Sequence, residues 1–295
     1  MKYRTLGSTG LEVSVVGVGS WQFGGEWGRN YSDADAKAVI DTARDVGINL
    51  IDTAECYGDH LSEELVGKSI KGNRQSWIIA TKFGHKFHDL FKRTIHYQPD
   101  EVQNQLEDSL KSLQTDYIDL YQFHSAGDEE FDTDGLWEML QKQVDAGKIR
   151  HLGISIGANT NIYQTESAKK VNAETIQVVY NRLDRGPEEK VLPACIELNL
   201  GVLARVPLAS GYLSGKYKPG ANFTSTDVRS HHEQKSIDKT LKEVEEIQKN
   251  EVPEGTDMAA WALSWCLRNP AVTTVIPGCK SPEQVKSNAS AADLL

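Results

Sequence analysis

The stretch Tyr117–Ser155 combines two strand patterns with one helix pattern. Its first part, Tyr117-Ile-Asp-Leu-Tyr-Gln-Phe123, is a short apolar run typical of a buried strand, and His151-Leu-Gly-Ile-Ser155 is another. Between them a helical pattern spans Thr133–Gly147, and three of its apolar residues share one face, namely Leu136, Leu140 and Val144. This order predicts two parallel strands joined by a crossover helix.

The same alternation of short apolar runs and helical spacing continues along the whole chain. The eight predicted strands are Val15–Val18, Asn49–Asp52, Trp77–Thr81, Tyr117–Phe123, His151–Ser155, Thr175–Tyr180, Gly201–Val206 and Thr273–Ile276. Eight strands that alternate with helices are typical of the (β/α)8 TIM barrel, an α/β fold. We therefore predict one barrel domain over residues 1–295.

Two further features modify the predicted barrel. Tyr3–Leu6 and Leu11–Val13 flank the turn sequence Gly7-Ser-Thr-Gly10, which predicts an N-terminal β-hairpin that caps the bottom of the barrel. A long insertion follows the seventh strand, from Pro207 to Val272, and contains helical patterns near Ile237–Gln248 and Met258–Leu267. Because barrel active sites form on the face where such loops lie, we expect the insertion to hold a cofactor.

Composition excludes several classes of protein. No apolar stretch is long enough to cross a membrane, and the N-terminal residues lack the pattern of a secretion signal. A net charge of −10 with scattered Lys and Arg argues against nucleic acid as a partner. The four cysteines form no CxxC pair and are far apart, as in reduced intracellular proteins. We expect a cytoplasmic protein that is a monomer or a weak oligomer.

Polar residues gather where the predicted strands end. Reading the chain in order gives Asp52, Lys82, His124 and Ser155 at strand ends, and Gln177 within the sixth strand. In a barrel these side chains point into one site. A lysine in a partly dry interior needs a partner, and Asp52 on the adjacent strand is the natural one for Lys82.

Tyr57 lies five residues beyond Asp52, close enough in sequence to fold back onto the predicted ion pair. A lysine ammonium favours the phenolate, so we expect the pKa of Tyr57 to fall below about 10. Such a tyrosine is a usable general acid or base. His124 could then donate a hydrogen bond to a substrate carbonyl.

Several sequence motifs resemble those of the aldo-keto reductases. Four catalytic positions match Asp52-Thr-Ala-Glu-Cys-Tyr57-Gly58, Ala80-Thr-Lys82 and Tyr121-Gln-Phe-His124. Further matches are Gly19-Ser-Trp21, Gly147-Lys-Ile-Arg150, Gly153-Ile-Ser155, Gln177-Val-Val-Tyr180-Asn181, Pro207-Leu-Ala-Ser-Gly211, Gly215-Lys216 and Ile276-Pro-Gly278. These variants are most similar to the bacterial branch that also resembles the β subunits of voltage-gated potassium channels.

The resemblance implies reversible hydride transfer between NADPH and a small-molecule carbonyl substrate, an aldehyde or a ketone. Tyr57 would be the general acid, Lys82 the cation beside it, Asp52 the partner of Lys82, and His124 the group that positions the carbonyl. Trp21 would line the substrate pocket. The implied cofactor-binding residues are Ser20, Trp21, Asp52, Ser155, Gln177, Arg205, Val206, Pro207, Leu208, Ser210, Lys216, Arg229, Gly278, Lys280, Gln284 and Asn288.

Two departures from the family pattern affect the cofactor site. Where many members stack an aromatic ring on the nicotinamide, this chain has Arg205, whose planar guanidinium can also stack. Other branches carry a Lys and an Arg near the adenosine, where this chain has Gly278 and Gln284. Lys280 and Arg229 are then the expected partners of the cofactor's 2′-phosphate, which favours NADP over NAD.

Alternative hypotheses remain open at this point. A strand-end lysine could form a Schiff base in an aldolase-like barrel, although a carboxylate partner would keep Lys82 protonated. The potassium-channel resemblance permits an NADP-binding redox sensor with slow turnover. The histidines of His85-Lys-Phe-His88 and His231-His232 have no further ligand at metal-binding spacing, so we expect loop or surface histidines and no metal.

Overall fold

Eight parallel strands form the central sheet of the computed structural model, which describes residues 1–295. The strands are β3 (Val18–Gly19), β4 (Leu50–Asp52), β5 (Ile78–Phe83), β8 (Ile118–His124), β9 (Ile149–Ser155), β10 (Ala173–Val179), β11 (Gly201–Arg205) and β12 (Thr274–Val275). Each pairs with the next in chain order. The two edges meet, since Gly17 N donates to the carbonyl of Val275 at 2.8 Å. The sheet is therefore a closed (β/α)8 barrel, as predicted.

Helices follow the barrel strands and cover the outside of the sheet. They are α1 (Asp33–Asp45), α2 (Leu61–Ser69), α3 (Pro99–Ser112), α4 (Asp128–Phe131), α5 (Leu136–Asp145), α6 (Ile162–Ser167), α7 (Val191–Glu197), α8 (Gln234–Asn250), α9 (Met258–Leu267) and α10 (Pro282–Ala289). Their buried faces and the sheet share one large apolar core. None of these helices combines the length and apolarity that a membrane crossing requires.

The N-terminal residues cap the barrel from below, as predicted. β1 (Tyr3–Thr5) and β2 (Glu12–Ser14) pair antiparallel, and Leu6 between them is fully buried. Leu6 packs inside the barrel with one residue from each of four strands, namely Leu50, Ala80, Leu120 and Leu203. At Gly7, φ is +54° and an added Cβ would lie 2.1 Å from the amide of Gly201, so only glycine fits this contact.

The first barrel strand is displaced from its prediction. The apolar run Val15–Val18 suggested a strand there, but β3 pairs with β4 only at Val18 and Gly19. Val15 N donates to the carbonyl of Lys2 in the cap, and Val16 pairs in parallel with Val275 of the last strand. The predicted run therefore lies at the closing edge of the barrel, and only its last residue, Val18, pairs with β4.

A second hairpin lies above the barrel and was not predicted. β6 (His85–Asp89) and β7 (Lys92–Ile95) pair antiparallel directly after β5. Its exposed residues alternate with half-buried ones, too few of them apolar to give a strand signal. The predicted insertion after the seventh barrel strand also lies at this end, with α8 and α9 packing on Tyr212 and Leu213. Together the hairpin and the insertion form walls around the mouth of the barrel.

Candidate active site

A cleft of about 480 Å³ opens at the carboxyl ends of the barrel strands. The predicted residues that line it are Ser20, Trp21, Asp52, Tyr57, His124, Gln177, Arg205, Val206, Pro207, Leu208, Ser210, Lys216, Arg229, Gly278, Lys280, Gln284 and Asn288. Lys82 lies directly beneath, buried against Asp52. Ser155 does not line the cleft, because it is fully buried at the end of β9 with its hydroxyl 3.4 Å from that of Ser125.

An ion pair lies at the base of the cleft. Lys82 Nζ, at the end of β5, donates to Asp52 Oδ1 at 2.6 Å and to the carbonyl of Thr53 at 2.7 Å. It also donates to Tyr57 Oη at 3.3 Å. Asp52 closes β4, the neighbouring strand, so barrel geometry places the two charges side by side. Each ammonium hydrogen thus has an acceptor, and one of these acceptors is the tyrosine hydroxyl.

The pKa values of this cluster differ in part from expectation. Burial lowers the pKa of Lys82, but the Asp52 carboxylate and Tyr57 outweigh it and hold that pKa above its usual value. Burial raises the pKa of Tyr57 to about 12, against the opposing effect of Lys82. The predicted fall of the Tyr57 pKa below 10 is therefore wrong: Asp52 cancels much of the lysine charge, and desolvation outweighs the remainder. Tyr57 is a protonated acid at neutral pH.

His124 is held as a neutral imidazole beside Tyr57. Burial, together with the nearby charges of His85 and Lys82, lowers the pKa of His124 well below its usual value. The ring centroids of His124 and Tyr57 are 6.1 Å apart. Its backbone carbonyl accepts hydrogen bonds from the Tyr97 hydroxyl at 2.8 Å and from His85 Nε2 at 2.6 Å. A neutral ring fixed in this way can donate one hydrogen bond without bringing a charge.

Gln177 belongs to the hydrogen-bond network of Asp52. Its amide nitrogen donates to Asp52 Oδ2 at 2.7 Å and to Gln122 Oε1 at 3.1 Å. Gln122 in turn donates to the same carboxylate oxygen at 3.2 Å. Both oxygens of Asp52 are thereby occupied, one by lysine and one by two amides. Gln122 was not predicted as a site residue, although it is a polar residue within an apolar strand, which is the same signal that singled out Gln177.

Aromatic and ionic residues form the outer wall of the cleft. The Trp21 ring stacks on Tyr57 with centroids 5.9 Å apart, and Trp27 meets Trp21 edge-on. The indole of Trp21 donates to the buried Glu26, which also pairs with Arg93 from the unpredicted hairpin. Trp27, Glu26 and Arg93 were missed by sequence reasoning, since a turn sequence and a hairpin of low apolarity carry no periodic signal.

Arg205 lies at the end of β11 and lines the cleft. It is the residue that takes the place of the aromatic side chain found in many members of the resembled family. One terminal nitrogen donates to the carbonyl of Ile156 at 3.1 Å, while its Nε is buried without any hydrogen-bond partner. Burial lowers the pKa of Arg205. An unpaired buried donor is costly, and Arg205 itself is one of the residues that line the cleft.

The far end of the cleft carries the predicted cations. Lys280 is half-buried, and its Nζ donates to the carbonyl of Trp27 at 3.1 Å. Lys216 is exposed over the ring of Tyr217. Arg229 differs from expectation, because it is buried and forms a two-point ion pair with Asp227, at 2.6 Å for Nη2. Lys280 and Lys216 have no carboxylate partner and supply the uncompensated positive charge.

His85 was predicted to be a loop or surface residue, but it is a half-buried residue of the hairpin. It opens β6, lines the cleft and contacts His124. His88, on the outer part of the same strand, is exposed as expected. The difference follows from the hairpin, in which half-buried residues such as His85 alternate with exposed ones.

A closed parallel barrel with this cluster of Asp, Lys, Tyr and His at its strand ends defines the class of barrel oxidoreductases. Residues 15–295 match the model of the aldo/keto reductase family. The chain belongs to that family. It is 36% identical to aldo-keto reductase YhdN of Bacillus subtilis over 97% of this chain and 87% of the relative.

Solved structures of similar proteins agree with this assignment. Aldo-keto reductase AKR11C1 from Bacillus halodurans, in its holo form, superposes with a TM-score of 0.83 at 32% identity, covering 99% of this chain and 91% of that one. Glycerol dehydrogenase AKR11B4 from Gluconobacter oxydans gives a TM-score of 0.85 at 31% identity, covering 98% and 89%. Fold and family are thus supported along almost the entire chain.

Proposed function

We propose that this protein reduces aldehydes and ketones to alcohols with NADPH. The observation that carries the proposal is the position of Lys82 Nζ, which touches both the Asp52 carboxylate and the Tyr57 hydroxyl at the base of the cleft. A protonated tyrosine beside a fixed cation is a proton donor for the alkoxide that forms when a carbonyl is reduced. The glycerol dehydrogenase from Gluconobacter oxydans is a neighbour in the same reaction class.

The residues present fit a phosphorylated dinucleotide. Three non-glycine residues after β11, namely Val206, Ala209 and Ser210, have φ of 53°, 48° and 58°. Such strain gathers at functional sites, and it is most costly for a β-branched valine. Arg205 lines the cleft and would lie at the nicotinamide end, while Lys280 and Lys216 would hold phosphate at the other end. When bound, NADPH supplies the hydride.

Residues of the protein then donate the proton that completes the reduction. His124, as a neutral imidazole, donates a hydrogen bond to the carbonyl oxygen and orients it over the base of the cleft. As negative charge develops on that oxygen, the Tyr57 hydroxyl transfers its proton to it. Lys82 stabilises the resulting phenolate, and Asp52 holds the ammonium in place. Trp21, stacked on Tyr57, covers the site and excludes water from one side.

The Schiff-base alternative conflicts with the contacts of Lys82. An amine must be unprotonated to attack a carbonyl, whereas Asp52 keeps the pKa of Lys82 above its usual value. Its three hydrogen bonds also leave no free direction of attack. We therefore favour the reductase, and no contact in the structure singles out a sensing role.

Turnover by purified protein tests the proposed function. With NADPH and a reactive aromatic aldehyde, we expect the cofactor to be consumed in equal amount to the alcohol formed, as measured by absorbance and by chromatography. Absence of alcohol from a panel of aldehydes and ketones, in protein that binds NADPH, would refute the reductase.

The pH profile follows from the high pKa of Tyr57. Reduction needs the protonated hydroxyl, which is the dominant form below about 12. We expect kcat/KM for reduction to be flat between roughly pH 6 and pH 9. Oxidation of the alcohol needs the phenolate, so its kcat/KM should rise about tenfold per pH unit over the same range. A reduction rate that falls within this range would contradict the assigned donor.

Lys280 should set the preference for NADPH. Changing Lys280 to Met removes a half-buried cation that has no carboxylate partner, and we expect the Kd for NADPH to rise roughly tenfold while the Kd for NADH stays within about twofold. Fluorescence titration with both cofactors measures this difference. Lys286→Met, an exposed charge on α10, is the matched control and should leave both Kd values unchanged. Equal weakening of both cofactors would place the 2′-phosphate elsewhere.

A further inference from the structure

Arg93, on the wall of the cleft, has one guanidinium nitrogen left to bind a ligand. The residue belongs to β7 of the hairpin above the barrel and lines the cleft. Its Nη2 pairs with Glu26, and its Nε donates to the carbonyl of Cys56 at 3.4 Å. Its Nη1 has no hydrogen bond within the protein, and 22% of the side chain is exposed. Two nitrogens therefore fix the plane of the guanidinium, while the third is available to a ligand in the cleft.

Glu26 holds this guanidinium in place. Its carboxylate is fully buried, and besides Arg93 it accepts the indole hydrogen of Trp21 at 2.5 Å and the backbone hydrogen of Phe91 at 3.0 Å. A side chain that is already ordered loses little conformational entropy when a ligand binds to it. Arg93 is thus pre-organised for binding, unlike a long cationic side chain that moves freely at the surface.

Arg93 lies beside the reacting end of the cleft, where the Tyr57 hydroxyl is. Cys56, whose carbonyl Arg93 binds, directly precedes Tyr57 in the chain. Trp21 stacks on the Tyr57 ring and shares the Oε2 oxygen of Glu26 with Arg93. No residue of the hairpin is among those that the family resemblance implies for the cofactor. A substrate with its carbonyl at Tyr57 can therefore extend along Trp21 to Arg93.

The ion pairs at the reacting end leave one cation uncompensated. Lys82 is paired with Asp52, and Arg93 is paired with Glu26. Arg205 also lines the cleft but has no carboxylate partner, since its terminal nitrogen donates to a backbone carbonyl. Three cations and two carboxylates thus surround the place where the carbonyl would bind.

The other ionisable groups at this end are neutral at pH 7, so the excess of one positive charge remains. Burial raises the pKa of Glu55 to about 8 and lowers the pKa values of His85 and His124. Burial also raises the pKa values of Cys56 and Tyr57. A carboxylate brings one negative charge and matches this excess, whereas a phosphate monoester brings about 1.5 to 2 at pH 7.

Resting on the reductase function proposed above, we propose that the preferred substrates are aldehydes or ketones that carry one carboxylate, which Arg93 binds. A hydrogen bond from a guanidinium to a carboxylate is charge-assisted and stronger than one between neutral groups. Trp21 would contact the body of the substrate, while Tyr57 and His124 bind its carbonyl. Arg93 is then a specificity-determining residue that takes no part in the transfer of hydride or proton.

Matched pairs of substrates test this inference in the unaltered protein. Meta- and para-carboxybenzaldehyde are each compared with their methyl ester, which has the same ring and aldehyde but no charge. The ester group withdraws more electron density, so chemical reactivity alone favours the esters. With NADPH, we expect kcat/KM for at least one acid to exceed that for its ester at least about tenfold, mainly through a lower KM. Equal or faster reduction of both esters overturns the inference and leaves the reductase intact, whereas turnover of neither acids nor esters refutes both.

Substitution of Arg93 tests whether this residue causes the preference. Arg93→Met should bring the ratio of kcat/KM for acid and ester close to one, while a general loss of activity would lower both values and leave their ratio unchanged. Because Arg93→Met leaves Glu26 buried without its cation, the double variant with Glu26→Gln is measured beside it and should show the same loss. Lys92→Met, an exposed charge of the same hairpin that does not line the cleft, is the matched control and should keep the ratio. An unchanged ratio in both Arg93 variants overturns the inference.

Discussion

Changing Tyr57 to Phe is expected to lower kcat/KM for aldehyde reduction by about 10³-fold, because it removes the proton donor from a site with no other acid at that position. The ring keeps its packing on Trp21, so the cleft retains its shape. Steady-state kinetics with NADPH and a reactive aldehyde measure the loss. The Kd for NADPH, from fluorescence titration, should remain within about twofold of its value in the unaltered protein, since the deleted hydroxyl donates a proton and does not contact the cofactor.

A matched control separates this effect from loss of a tyrosine in general. Tyr163→Phe removes a hydroxyl that binds only Asp132 at the surface of α6, and it should leave kcat/KM unchanged. Undiminished turnover in the Tyr57 variant would remove Tyr57 from the mechanism. Loss of NADPH binding in parallel with turnover would instead assign Tyr57 a role in holding the cofactor.

Changing Lys82 to Met is the second substitution with a large expected effect. It leaves Asp52, which is 3% exposed, as a buried carboxylate without its cation. Breaking a buried ion pair in this way typically costs about 3–5 kcal/mol in the free energy of unfolding. Urea unfolding followed by circular dichroism measures this change. Turnover should fall about 10³-fold as well, because the phenolate of Tyr57 loses its stabilising charge.

The double variant Lys82→Met with Asp52→Asn distinguishes the two effects. Removing both charges should restore most of the lost stability, since neither charge is then buried alone. Activity should not return, because no cation stands beside Tyr57. The exposed pair of Lys37 with Asp41 is a control, and Lys37→Met should change the stability little. A double variant as unstable as the single one would show that the charge of Asp52 is not what destabilises the protein.

The sequence was sufficient to predict the architecture and the base of the site. Parallel strands with both faces buried produce continuous apolar runs, and all strand ends face one side of the barrel. Asp52 and Lys82 could therefore be paired from their positions alone, and they meet at 2.6 Å. His124 follows the same rule. The exact bounds of the first barrel strand could not be predicted in this way, because Val15 and Val16 are buried like strand residues but do not belong to β3.

Features that depend on packing could not be predicted in the same way. The pKa of Tyr57 depends on how completely the loop buries the hydroxyl, which no residue pattern states. Glu55 and Cys56 lie within the motif that carries Tyr57, yet their meeting with His124 depends on side-chain direction after β4 and β8. The ion pair of Arg229 with Asp227 likewise arises from a short turn in the insertion.

Single-turnover hydride transfer is the most direct test of the central claim that Tyr57, Lys82, Asp52 and His124 together reduce a carbonyl. Protein with one equivalent of NADPH, deuterated at the transferred position, is mixed with excess reactive aldehyde in a stopped-flow instrument. We predict loss of one NADPH signal per protein, deuterium recovered at the carbinol carbon, and a rate slower than with unlabelled cofactor. NADPH that stays bound and reduced throughout, with no alcohol formed, would contradict the assignment of this barrel as a carbonyl reductase.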